Sequence, residues 1–191
     1  MVITINGTPG SGKSTVARKL AKKLNWPRFY GGGIRRIKAK SMSLTLAEYN
    51  KLGETDASTD FEVDNYLKKI AKQYKNCIIE SRTAWYLIPK SLKIYIDVNE
   101  KIGAERVYGE LKKHNKRNEG EKLHSVEEVL KSHKQRKLSD GKRYKKYYHF
   151  DLYDKNNYDF ILDTTNLSKK QVFEEIYDYL KTRLKQVDKI S

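Results

Sequence analysis

A single cysteine, Cys77, stands in this chain of 191 residues. One thiol excludes an internal disulfide framework and any zinc site built from several cysteines. Within the apolar run Cys77-Ile78-Ile79 it reads as a small buried core residue. Proline is scarce as well, and its three copies leave no proline-rich linker. No apolar run approaches membrane-spanning length, and nothing resembles a secretory leader. A cytoplasmic protein without a membrane partner is expected. His114, His124, His133 and His149 show no paired metal-ligand spacing with acids or cysteines and read as surface or packing residues.

Acid is the remaining shortage. Asp and Glu number 24 against 40 Lys and Arg, a net charge of +16. A basic surface suits nucleic acid, and it equally suits an enzyme whose substrates are polyanions. It also follows from a plain lysine-rich composition. The lysines are scattered over polar helix faces, with no RNP, zinc-finger or arginine-rich signature. Nucleic acid is therefore not the expected primary partner.

What is present is concentrated near the start. Gly7-Thr8-Pro9-Gly10-Ser11-Gly12-Lys13-Ser14 fits the phosphate-loop pattern G-x-x-x-x-G-K-S/T at every fixed position. Val2-Ile3-Thr4-Ile5 before it reads as a buried strand, and the chain from Ser14 reads as a helix. Glycines let successive N–H groups turn inward around phosphate oxygens, while the helix start offers its free N–H groups to the same anion. Lys13 can bridge β- and γ-phosphates, and the Ser14 hydroxyl can ligate Mg²⁺. Gly7 to Thr15 is thus the candidate ATP-phosphate site, comprising Gly7, Thr8, Pro9, Gly10, Ser11, Gly12, Lys13, Ser14 and Thr15.

Strands and helices alternate, the pattern of a parallel sheet covered by helices. The strand candidates are Val2–Ile5, Arg28–Tyr30, Cys77–Glu80, Lys93–Val98 and Asp159–Leu162. The first helix carries Val16, Leu20 and Leu24 on one stripe. Further helices are expected from Gly33 to about Lys40, over Thr45–Leu52, over Asp60–Tyr74 with Phe61, Val63, Leu67 and Ile70 inward, and from Asn99 to about Lys113. A last helix, roughly Ser168–Leu184, has Ser168 as N-cap. Residues 112–148 are very polar, and the tract Lys112–Gly120 reads as a solvated loop. The aromatic-rich stretch Tyr144–Tyr158 reads as core, not as a base-stacking platform.

Three groups carry chemistry on the acceptor side. Glu80-Ser81-Arg82 follows a strand, and ligands in open α/β sheets sit at the carboxyl ends of strands. An acid there can hold Mg²⁺ and an adjacent arginine can grip a phosphate. Gly31-Gly32-Gly33-Ile34-Arg35-Arg36 follows the short second strand; its glycines permit close approach to a ligand. One arginine of that pair reaches a phosphate and the other lies at the surface. Arg136 and Arg143 are seven residues apart, so on a helix they share a face and can neutralise charge on a transferring phosphoryl group.

Together these features resemble the nucleoside monophosphate kinases, and among them the cytidylate kinases of the short archaeal type. The resemblance spans nearly the whole chain. Gly32-Gly33-Ile34-Arg35-Arg36 occupies the place of the family's G-x-x-x-R motif, which makes Gly32 and Arg36 acceptor-binding residues. Glu80-Ser81-Arg82 stands where the family has Asp-Gly-Arg, with Arg82 a second acceptor-phosphate ligand. Arg136 and Arg143 match two lid arginines, Asp140 falls where an acid meets the acceptor sugar, and Arg106 resembles the arginine at the start of the lid, on the ATP side. Asp159–Ser168 matches the last strand and helix start. The departures are Gly31 in place of Ser or Thr, Ser81 in place of Gly, Glu80 in place of Asp, and Thr83 where bacterial members carry Asp.

The resemblance implies a three-layer α/β/α P-loop fold around a five-stranded parallel sheet. A single domain is expected, with its core in 1–30, 75–111 and 149–191, an acceptor-binding insertion at about 31–74 and a lid at about 112–148. It implies transfer of the γ-phosphoryl of ATP to a nucleoside monophosphate, most simply CMP or dCMP, by a monomer. Lys13, Arg82, Arg136 and Arg143 would be catalytic, and Mg²⁺ would sit at Ser14 and Glu80. The alternatives are AMP, UMP or another small acceptor, or a P-loop nucleotide-binding protein associated with RNA or DNA.

Overall fold

The computed structural model describes residues 1–113 and 123–188. Five strands, β1 (Val2–Gly7), β2 (Arg28–Tyr30), β3 (Cys77–Glu80), β4 (Leu92–Asp97) and β5 (Phe160–Asp163), form one parallel sheet in the order β2-β3-β1-β4-β5. This is the expected five-stranded parallel architecture. The helices are α1 (Lys13–Leu24), α2 (Gly31–Ser41), α3 (Leu46–Leu52), α4 (Ser58–Gln73), α5 (Ala84–Leu87), α6 (Glu100–Lys113), α7 (Val126–Tyr148) and α8 (Lys169–Asp188).

Central strands read as apolar runs because both of their faces are covered. Side chains alternate between the faces. Ile3, Ile5, Ile78, Ile94 and Ile96 point to α1 and α8, where they meet Val16, Leu20, Val172, Ile176 and Leu180. Cys77 and Ile79 point the other way, onto Val63, Leu67 and Ile70 of α4. Trp85, Tyr95 and Tyr158 extend that second layer with Phe150 beside them. The aromatic stretch is core, as its composition suggested.

Local signals place most boundaries. Thr45 caps α3 in a reciprocal box, its Oγ1 accepting from Glu48 N at 3.1 Å while Thr45 N donates to Glu48 Oε2 at 2.7 Å. Ser168 does the same at the start of α8 with Gln171. Two expectations need correcting. Phe61 is not inward but 41% exposed, packed by its ring against Tyr147 and Tyr148. The inner stripe of α4 is Asp60, Val63, Asp64, Leu67 and Ile70, all buried, so two carboxylates take places on the core face. Second, Lys112 and Lys113, read as the start of a solvated loop, belong to α6, and α7 adds 23 helical residues further along the polar stretch. The rest of the tract, from His114 to Gly120, lies outside the described residues.

Topology then fixes where a ligand can sit. From β1 the chain leaves toward β2 on one side, and from β3 it crosses to β4 on the other. The crevice this opens lies at the carboxyl ends of β1 and β3. Register sets Ile5 beside Glu80 and Tyr30 beside Glu80 across that edge.

Candidate active site

The loop between β1 and α1 is shaped by backbone contacts. Gly7 and Gly10 have φ of 142° and 77°, a region closed to ordinary side chains. Space is equally restrictive: a Cβ on Gly7 would lie 1.9 Å from the Ile96 carbonyl oxygen, and one on Gly10 would lie 2.2 Å from the Gly103 carbonyl oxygen. Thr8 is tied to β4 twice, its N–H donating to Ile96 O at 3.1 Å and its hydroxyl to Asp97 Oδ1 at 3.1 Å. Lys13 folds back over the loop, its ammonium donating to Thr8 O and lying 3.5 Å from Ser11 Oγ. No side chain caps α1 and no acid stands in its first turn. A helix start of this kind suits an anion.

A cavity of about 600 Å³ opens from this loop. Gly7, Pro9, Gly10, Ser11, Gly12, Lys13, Ser14 and Thr15 line it on one side. Gly32, Arg36, Glu80, Arg82, Arg106 and Arg136 line it on others. His133 lines it as well, which its sequence context did not suggest. Arg106 is held firmly at the cavity wall, its guanidinium donating to Thr164 Oγ1 at 3.1 Å, Thr164 O at 2.7 Å and Thr165 O at 3.2 Å.

Ser14 and Glu80 meet at the floor of this cavity. The Ser14 hydroxyl donates to Glu80 Oε1 at 2.5 Å, and Arg28 holds Glu80 Oε2. Glu80 is 3% exposed, so its charge depends on these partners. No cluster of three or more His, Cys, Asp or Glu side chains able to hold a metal occurs among the described residues. A cation at this point would therefore rely on one hydroxyl, one carboxylate, water and phosphate oxygens. Those are the hard oxygen donors that Mg²⁺ takes, so the residues present fit it.

The side of the cavity away from this loop is built of ion pairs. Arg36 lines the cavity with its Nη1 donating to Tyr30 OH at 2.7 Å and Gly32 O at 3.0 Å. Arg35, expected at the surface, is instead buried at 5% exposure. It pairs with Asp60 Oδ1 at 2.5 Å and donates to Asn50 Oδ1 and Thr59 O. The reason is α2's direction: it packs against α3 and α4, and position 35 faces them. Asp60 in turn holds Arg143 Nε at 2.9 Å, Arg143 holds Asp140 at 2.7 Å, and Asp140 holds Arg82 Nε at 2.6 Å. This chain of charges links the 31–74 segment, α7 and the turn after β3.

Arg136 and Arg143 consequently have different surroundings, although both lie on α7. Arg136 faces the cavity, whereas Arg143 is fully buried in the ion chain with Asp140. Burial works to raise the Asp140 carboxyl, but Arg82 and Arg143 outweigh it and hold it below the usual carboxylate range. Three arginines (Arg35, Arg82, Arg143) face two carboxylates (Asp60, Asp140) in this chain, leaving a cationic balance beside the cavity. Nearby, Asp64 accepts from Thr83 Oγ1 at 2.6 Å and from the Tyr148 hydroxyl, and burial raises it from 3.8 to about 6.

Sequence reasoning missed Arg28, Tyr30, Asp60, Asp64 and Gly103. A signal existed for the two aspartates, which repeat at helical spacing with Val63, Leu67 and Ile70. For Gly103 there was none: it is needed because a Cβ there would lie 2.6 Å from Pro9 O, on an element almost a hundred residues away.

The model of the "Cytidylate kinase-like family" matches residues 2–166. A cytidylate kinase of Methanocella arvoryzae is 33% identical over 93% of this chain and 95% of its own length. One from Pyrococcus furiosus is 36% identical over 91% of this chain and 84% of its own. Among solved structures, a shikimate kinase from Bacteroides thetaiotaomicron superposes with a TM-score of 0.63, covering 95% of this chain and 98% of that one at 14% identity. At that identity the likeness is one of fold. A cavity lined by the Gly7–Ser14 loop and by several arginines thus coincides with a family match over most of the sequence, and the chain belongs to the cytidylate kinase-like family.

Proposed function

We propose that this protein transfers the γ-phosphoryl group of ATP to a nucleoside monophosphate, CMP or dCMP being the acceptor favoured by its named relatives. The observation that carries the reading is a single cavity lined both by the Gly7–Ser14 loop and by Arg36 and Arg82. A generic triphosphate site has no use for the second set.

The chain's own residues divide the work. Backbone N–H groups of the loop and the Lys13 ammonium hold the donor phosphates, and Arg106 borders them. Arg36 and Arg82 hold the acceptor phosphate, whose oxygen is already a competent nucleophile, so no covalent intermediate is needed. What the protein supplies is alignment and charge neutralisation. Arg136 is the residue of α7 placed to face the transferring group, while Arg143 and Asp140 act from the buried ion chain. Ser14 and Glu80 would hold Mg²⁺, which when bound supplies charge neutralisation between phosphate oxygens. Residues 31–74 serve as the acceptor-binding insertion and 112–148 as a lid that excludes water. The proposed enzyme is a monomer acting on small nucleotides in the cytoplasm.

A coupled ADP-release assay across CMP, dCMP, UMP, AMP, GMP and dTMP tests the proposal. A clear preference for CMP or dCMP is expected. Absence of ADP formation with every acceptor would remove the kinase reading, and a preference for AMP or UMP would reassign the acceptor.

A further inference from the structure

Glu80 and Arg36 both line the cavity, and in the proposed reaction one would serve the cation and the other the acceptor phosphate. Two side chains of β2 connect them. Arg28 and Tyr30 are two residues apart on a strand and so share a face, and Tyr30 is the register partner of Glu80. The Arg28 guanidinium lies 4.9 Å from the Tyr30 ring centroid and ion-pairs with Glu80 Oε2. Arg36 donates to the hydroxyl of the same ring at 2.7 Å, its guanidinium carbon 6.0 Å from the centroid.

The glycine run that follows makes room for this ring. A Cβ on Gly32 would lie 2.8 Å from Tyr30 Cε2, and one on Gly33 would lie 2.8 Å from Tyr30 Cδ1. These two glycines therefore admit an aromatic ring of the protein itself, where the sequence suggested approach to a ligand. Tyr30 nonetheless lines the cavity along with Arg36, Glu80 and Ser14.

We infer that Arg28 and Tyr30 form a positioning bridge: Arg28 holds one oxygen of Glu80 so that the other faces Ser14 and the cation, and Tyr30 orients Arg36 toward the acceptor phosphate while giving Arg28 its stacking surface. Both are positioning residues, acting through Glu80 and Arg36. The physical basis is a division of labour on a short carboxylate. With Oε2 held by a guanidinium, Glu80 has one rotamer and one oxygen left, set 2.5 Å from the Ser14 hydroxyl. The stack keeps the planar guanidinium from swinging into the cavity. The inference rests on the kinase reading above and deepens it.

Two readouts separate the two ends of the bridge. The first is the Mg²⁺ midpoint for binding of a fluorescent ADP analogue, measured against an EDTA baseline without turnover. The second is the acceptor KM set against the ATP KM. Arg28→Met is expected to raise the Mg²⁺ midpoint about tenfold while leaving nucleotide affinity in EDTA unchanged. Tyr30→Phe keeps the ring and removes the hydroxyl that Arg36 uses, so the acceptor KM should rise about tenfold with the ATP KM and the Mg²⁺ midpoint unchanged. Tyr30→Leu removes the ring and should move both readouts. Arg28→Lys, which keeps charge but not the planar stack, should recover only part of the Arg28→Met loss. The inference is overturned if Tyr30→Phe leaves the acceptor KM within about twofold of wild type, or if Tyr30→Leu leaves the Mg²⁺ midpoint in place. Should Arg28→Met fail to fold, the two Tyr30 variants alone still decide. An inactive wild-type protein would instead defeat the kinase reading, and the Mg²⁺ midpoints would still report on the Arg28 end.

Discussion

The donor and acceptor sides of the cavity are held in shape by different means. Around Gly7–Ser14 the determinants are backbone: positive φ at Gly7 and Gly10, contacts too close for a Cβ at those two positions, and the Thr8 N–H bond to Ile96 O. Around Arg36 and Arg82 they are charged side chains drawn from α2, α4, α7 and the turn after β3. Backbone shape is rigid, fixed here by close contacts with Ile96 and Gly103. Ion pairs between elements can be exchanged for a ligand phosphate or broken by motion of a helix. The contrast is between a firm backbone cradle on one side and a network of exchangeable ion pairs on the other.

The contrast can be broken from either side. The largest effect is expected from Lys13→Ala, which should lower phosphoryl transfer about 10³-fold in an ADP-release assay while leaving the melting temperature near wild type. On the acceptor side Asp60→Asn should act the opposite way, on stability first. It leaves the buried Arg35 and Arg143 guanidiniums without their shared partner, and a loss of about 3–5 kcal/mol in denaturant unfolding is expected.

Asp64 gives a pH signature. Its folded value lies above the ordinary one, from 3.8 to about 6, so the native state favours the protonated form. Its contribution is therefore full below about pH 4 and is lost as pH rises through 6. Unfolding measured from pH 4 to 7 should show wild type losing about 2–3 kcal/mol relative to Asp64→Asn. The mildest test returns to the donor side. Gly103→Ala adds a methyl 2.6 Å from Pro9 O, and should cost about 1–3 kcal/mol and weaken ATP binding by displacing the loop, with the acceptor KM little changed.

Legibility followed the same division. The phosphate loop could be read residue by residue, because its spacing and glycines are local consequences of wrapping backbone around an anion. So could the five strands and the cap of α8, where periodicity and a single Ser–Gln box suffice. Arg35 could not be told from Arg36 by type. One is buried on Asp60 and the other lines the cavity, a difference decided by the 100° turn between consecutive helix positions and by what packs on each face.

By itself, then, the sequence determined a parallel α/β core, a glycine-rich loop between the first strand and helix, and a supply of arginines. Each of these depends on interactions within a few residues or on the alternation of buried and exposed positions. Only the tertiary structure decided which arginines face the cavity and which are buried, that Asp60 and Asp140 hold three of them in one chain, and that Tyr30 rests over its own glycines between Arg28 and Arg36. Those are contacts between elements far apart along the chain. Their partners are chosen by helix packing and strand register, which no local pattern encodes.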